Sequence, residues 1–231
     1  MIDGLVFDKD GTLFDFRLAW GPWVRRVIGA LAPNPVTATQ MADVLGFDLT
    51  TGQFAADSVV IGATVEDSAR LLLAFLPGTD LRTLAAPLNR LAMDVSLSET
   101  VPLVPLLALL RARGIKIGLA TNDTEAPARA HLQSAGIDDL FDFIAGYDSG
   151  FGGKPGPGML NAFLHQTALS AERVAMVGDS THDLAAGRAA GMRTVAVLTG
   201  VATREELAPH ADVVLADIGA LPAWIDGLSI D

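Results

Sequence analysis

No cysteine occurs among the 231 residues, which excludes disulfides, thiolate metal sites and a cysteine nucleophile together and fits a reducing compartment. Long apolar runs are also lacking. The longest, PLVPLLALL at 102–110, falls well short of the roughly 20 residues that span a bilayer as helix. The chain opens on MIDGLVFD without the basic segment that precedes a secretory apolar region, so a cytoplasmic protein without a signal peptide is expected. Basic residues are few: 16 Lys and Arg face 27 Asp and Glu, for a formal net charge of −11. They are scattered rather than massed in a stripe, which argues against nucleic acid or a membrane surface as partner. What is plentiful is apolar side chain, 50% of the residues, enough for a packed core together with an insertion.

The pattern along the chain changes twice. After a short apolar strand, GLVF, the apolar positions take helical spacing for about eighty residues. FRLAWGPWVRRVIGALA (16–32) has one apolar face, NPVTATQMADVLG places Pro35 in a first turn, and TVEDSARLLLAFL and TDLRTLAAPLNRLAMDV each open on a capping residue. The intervening SVVIGA (58–63) reads as a loop or helix start. From about residue 99 helices and wholly apolar strands alternate: IKIGLAT, FDFIAG, RVAMVGD, RTVAVL and ADVVLA are the strands. Repeated βα units of this kind predict an α/β fold with a doubly wound parallel sheet. The expected division is a core of residues 1–14 and 98–231 with an all-helical insert at 15–97.

In open parallel sheets, sites form outside the carboxyl ends of the strands. Asp8 and Asp10 follow GLVF, Thr121 and Asn122 follow IKIGLA, and Asp179 follows VAMVG. A glycine-rich segment, GGKPGPG (152–158), brings Lys154, one of three lysines. Taken singly, each has an ordinary explanation: Asp-Gly-Thr is turn chemistry, and Thr121, Asn122 or Ser180 with Asp183 could cap helices. Their joint order at strand ends favours a site. Two carboxylates one residue apart repel each other unless a cation, a donor or a proton compensates. A cation is therefore expected beside Asp8 and Asp10.

The segments DKDGT, TN, GGKPGP and GDSTHD resemble, in order and spacing, the four motifs of the haloacid dehalogenase superfamily, and the helical insert after the first resembles that family's first cap type. Within it the chain is similar to the phosphoglycolate phosphatase branch. The resemblance implies a Rossmann-like core and a Mg²⁺-dependent phosphatase acting on a small phosphorylated metabolite. By that carry-over Asp8 is the nucleophile and Asp10 the general acid and base. Mg²⁺ would be held by Asp8, the carbonyl of Asp10 and Asp179, with Asp183 as ligand or support. Thr121, Asn122 and Lys154 would bind phosphate, and Gly11 would let the chain turn close to substrate. Hydroxyl and amide donors with a lysine are the groups a phosphate dianion requires.

Asp10 argues against a dehalogenase, and the absence of lysine from 15–98 argues against a phosphonate hydrolase of the family. A hexose-phosphate mutase of the β-phosphoglucomutase type remains as the alternative, and behind it a non-catalytic phosphate-binding module. Arg17, Arg25, Arg26 and Arg70 are candidates for a substrate carboxylate such as that of phosphoglycolate. Trp20 and Trp23 read as packing of the insert or the lining of its mouth. His182 reads as facing solvent, and His131 as a helix residue without a visible partner. Hinges are expected near Phe14 to Phe16 and Leu97 to Val101. The expected assembly is a monomer or homodimer.

Overall fold

The computed structural model describes residues 1–55 and 57–228. Its strands are β1 (Gly4–Phe7), β2 (Lys116–Ala120), β3 (Phe143–Ala145), β4 (Val174–Gly178), β5 (Arg193–Val197) and β6 (Val213–Leu215). They form one parallel sheet in the order β3-β2-β1-β4-β5-β6. β1 is central, with Leu5 level with Ile117 on one side and Ala175 on the other. The chain winds outward in both directions from β1, which makes the ends of β1, β2 and β4 the point where the strand order reverses. Crevices for ligands open at such points.

Helices α1 (Phe16–Leu31), α2 (Pro35–Val44), α3 (Val65–Leu72) and α4 (Leu81–Met93) all precede β2. The rest are α5 (Leu103–Ala112), α6 (Glu125–Ser134), α7 (Gly158–Thr167), α8 (Thr181–Ala189), α9 (Arg204–Leu207) and α10 (Leu221–Gly227). Alternation along β1 explains the layers: Leu5 and Phe7 pack with Leu103 and Leu107 of α5 and Leu132 of α6. Val6 faces the other way, onto Met159 and Phe163 of α7. A strand covered on both faces must be apolar at every position, and all four residues of β1 are buried. No helix among the described residues is long and apolar enough to cross a membrane.

The four early helices carry their own apolar cluster, in which Trp20, Trp23, Val27 and Ile28 of α1 meet Met41, Leu72 and Leu88. The Trp23 indole N–H donates to the Leu88 carbonyl at 3.2 Å, pinning α1 to α4. Sequence signals placed these helices well. Asn34 caps α2 before Pro35, and Thr64 with Asp67 closes a reciprocal capping box on α3. SVVIGA is turn rather than strand, as its position between helical patterns suggested. The two segments joining this layer to the sheet pair with each other: Asp15 donates its backbone N–H to Ser98 at 2.8 Å and Thr100 donates to Leu13 at 3.0 Å. α9, a single turn with its own Thr203–Glu206 capping box, was not anticipated, because four residues show no periodicity.

Candidate active site

Asp8, directly after β1, has one carboxylate oxygen 2.6 Å from the Lys154 ammonium. Lys154 also lies 2.6 Å from Asp183 and donates to the Ala120 carbonyl at 2.7 Å, so three partners fix a buried cation. It is placed by its own backbone. Asn122 accepts the Lys154 N–H at 2.8 Å and returns its amide to the Lys154 carbonyl at 2.9 Å, clamping the loop after β3 to the end of β2. The same amide reaches the Gly62 carbonyl at 2.6 Å, so Asn122 ties the helical layer to the sheet as well. The Asn122 side chain is therefore a strut rather than a helix cap; Thr124 holds the N-cap position of α6.

Asp8, Asp179 and Asp183 are buried, and carboxylate oxygens from all three lie within 4.8 Å of one another. Burial pushes the Asp8 carboxyl up to about 7, against the pull of Lys154. Burial, then the carboxylates of Asp8 and Asp183, push Asp179 well above the usual range. Desolvation would strip Lys154 of its proton, but Asp183 and Asp8 outweigh it and raise its pKa. Three acids sharing one ammonium is an arrangement short of positive charge. A hard divalent cation with oxygen ligands fits that donor set.

Two glycines make room for Asp179. At Gly11, which has φ +88°, and at Gly200 after β5, an added Cβ would overlap the Asp179 carboxylate. Thr12 donates to Asp179 at 3.3 Å, and Thr199 donates to the Gly11 carbonyl at 2.6 Å. A fourth strand end therefore contributes, which the sequence patterns did not single out. Ser180 and Asp183 do form a capping box on α8. That ordinary role coexists with the contact to Lys154, since one Asp183 oxygen caps and the other pairs. Thr121 accepts the Asp123 N–H at 3.0 Å, and its own hydroxyl proton meets no acceptor among the described residues.

Behind Asp10 lies a second charged cluster. Lys9 is fully buried, with its ammonium 2.6 Å from Asp10, 3.3 Å from Asp123 and 3.0 Å from Nδ1 of His131. An ammonium only donates, so Nδ1 accepts, and Nε2–H then donates to the Ala92 carbonyl of α4 at 2.9 Å. Burial and then the adjacent Lys9 charge pull His131 down to about 4, which keeps the ring neutral. His131 thus has two partners, contrary to the sequence expectation. Lys9 holds one oxygen of Asp10, while the other, Oδ1, is buried without a hydrogen-bond partner.

A cavity over Asp8 and Asp10 is walled by both layers. Thr121, Asn122, Lys154, Asp179 and Asp183 line its floor. Trp20, Trp23, Val60, Ile61 and Gly62 come from the helical layer. His182 lines it too, half-buried against Gly62 rather than facing solvent. The arginines expected to reach this space do not line it. Arg17 is exposed, Arg25 donates to the Leu49 carbonyl, Arg26 lies beside Asp94, and Arg70 pairs with Glu66 and Asp67. Long charged side chains on amphipathic helices keep their heads in water, and here the apolar face is the one turned to the site.

A phosphoglycolate phosphatase of Yersinia pestis is 32% identical over 223 residues, covering 95% of this chain and 91% of that protein. A phosphoglycolate phosphatase of Rhodospirillum rubrum is 37% identical over 120 residues, and that match spans 52% of this chain and 50% of that one. The solved structure of a haloacid dehalogenase-like hydrolase from Bacteroides fragilis superposes with a TM-score of 0.75 at 23% identity, covering 96% of this chain and all of the other. The family model for haloacid dehalogenase-like hydrolases matches residues 2–191, and the chain belongs to that family.

Proposed function

We propose that the protein is a Mg²⁺-dependent phosphatase that hydrolyses a small phosphate monoester through an aspartyl-phosphate on Asp8. The observation that carries this reading is the pairing of Asp8 with Lys154 beside Asp179 and Asp183, in a cavity that Asp10 also lines. A carboxylate attacking a dianion needs positive charge and oriented donors around the phosphoryl group. Lys154 supplies one such charge. Thr121 supplies a hydroxyl, and the backbone N–H of Asn122 a further donor.

In the first step an Asp8 oxygen bonds to phosphorus as the ester P–O bond breaks, and Asp10 gives its proton to the departing alkoxide. In the second, Asp10 takes a proton from water, whose oxygen bonds to phosphorus and frees the Asp8 carboxylate and inorganic phosphate. With Oδ2 held by Lys9, Oδ1 of Asp10 is the oxygen left to carry that proton. Asp8, the carbonyl of Asp10, Asp179 and Asp183 would hold Mg²⁺, which when bound neutralises phosphate charge as a Lewis acid.

Phosphate release from a panel of monoesters tests the reading. Activity is expected with Mg²⁺, to vanish with a chelator, and to return when Mg²⁺ is restored; turnover indifferent to chelation would overturn it. Transfer of the phosphoryl group between sugar positions without release of phosphate would instead make the protein a mutase. Gly200→Ala, whose Cβ displaces Asp179, is expected to raise the Mg²⁺ concentration for half-activation by about tenfold or more, read by metal titration of activity.

A further inference from the structure

The part of the cavity contributed by the helical layer has no charged side chain among the described residues. Phe16, Trp20, Trp23, Val60, Ile61 and Val65 make it aromatic and aliphatic. Of its polar groups, the Trp23 indole donates to Leu88 and the Thr64 hydroxyl donates to Asp67. Trp20 differs. Its indole N–H is buried and has no hydrogen-bond partner, although the residue is only 6% exposed. A buried donor left unmatched is costly, and an acceptor brought by a ligand would relieve that cost.

The floor is of the opposite character. Asp8, Asp10, Asp123, Asp179 and Asp183 line it against Lys154 as the one lysine or arginine on the cavity wall among the described residues. With Lys9 behind them, a divalent cation added and Asp10 carrying the proton it donates, the charges of the floor balance, so the phosphate dianion itself leaves the occupied site net negative. A second anionic group on the substrate would meet that field without a partner. A cationic group would find no carboxylate on the wall that surrounds it.

Resting on the phosphatase reading above, we propose that the substrate is the phosphate ester of an uncharged alcohol. Its carbon skeleton lies against Trp20, Trp23 and Ile61, and one hydrogen-bond acceptor on it takes the Trp20 N–H. Phosphoglycolate, with its carboxylate, is outside this class.

The test is kcat/KM with Mg²⁺ for four near-isosteric esters: phosphoglycolamide, phosphoglycolate, phosphoethanolamine and ethyl phosphate. The neutral amide is expected to exceed phosphoglycolate by about tenfold or more, and phosphoethanolamine by a similar factor. Phosphoglycolate or phosphoethanolamine turned over as well as the amide would overturn the inference while leaving the phosphatase standing. Trp20→Phe keeps a ring and removes the donor. It is expected to lower the ratio of phosphoglycolamide to ethyl phosphate kcat/KM about fivefold, and an unchanged ratio would refute the role given to that N–H. Failure to release phosphate from any of these or from an aryl phosphate would remove the phosphatase reading, and this inference with it.

Discussion

Asp8→Asn is expected to abolish repeated turnover, by at least about 10⁴-fold in kcat, and to keep the fold. The amide is nearly isosteric but cannot form an acyl phosphate that water then clears. Folding should survive because Lys154 retains Asp183 at 2.6 Å and the Ala120 carbonyl at 2.7 Å. The titration of Asp8 adds a second, independent readout. Its pKa in the folded, metal-free protein is about 7, above its ordinary value of 3.8, chiefly through burial. A carboxyl raised in this way contributes stability that is full below pH 3.8 and lost as pH rises through about 7. The substitution removes that loss. In chelator, the melting temperature of the variant should therefore gain on the wild type between pH 4 and pH 8. A variant that melts lower and loses activity at every pH would point to a structural role for Asp8 instead, and retained multiple turnover would end the nucleophile assignment.

The elements that a sequence states locally were the ones it stated well. β1 and β4 are buried on both faces and so are apolar without interruption; the polar residue that ends each run marks the strand's carboxyl edge. That is why the sequence alone places Asp8, Thr121 and Asp179 at one edge of the sheet. Lys154 needed more, because only its glycine-rich surroundings distinguished it from a solvated lysine. The two charged clusters differ in the same respect. Lys9 lies between the motif aspartates, yet no local pattern marks it as buried, since its partners Asp123 and His131 are over a hundred residues distant and come from β2's end and α6.

The helical layer was legible as helices and illegible as a wall. Apolar spacing on α1 shows that one face is buried, but the same pattern serves a helix packed on its neighbours and one that also lines a cavity. Trp20 and Trp23 do both. The turn at residues 60–63 has no periodicity to read, although Gly62 receives the Asn122 amide. The arginines were drawn toward the site by chemistry that suits an anionic substrate, and helix geometry turned them to solvent. Residue type proposes a partner; the face on which the residue falls decides whether the two meet.

Lys9→Met is expected to be strongly destabilising. Lys9 is 0% exposed, and its ammonium is the common partner of Asp10, Asp123 and His131. Methionine fills similar volume but leaves two buried carboxylates facing each other without a cation. Removing one member of a buried ion pair costs about 3–5 kcal/mol, which for a protein of this size lowers the melting temperature by roughly 6–20 °C. The cost should depend on pH. Burial already raises Asp123 to about 6 against the attraction of Lys9, and without that attraction the carboxyl rises further. A raised carboxyl loses its stabilising contribution as pH increases through its folded pKa, so the deficit of the variant should be larger at pH 8 than at pH 5. Activity should fall as well, by about tenfold to a hundredfold in kcat, because the oxygen of Asp10 now held at 2.6 Å becomes free to turn. The defect should be smaller for an aryl phosphate, whose leaving group needs no proton, than for an alkyl ester. Equal losses on both substrates would show that Lys9 serves the fold alone. A melting temperature unchanged at pH 8 would show that Asp10 and Asp123 find their compensation elsewhere.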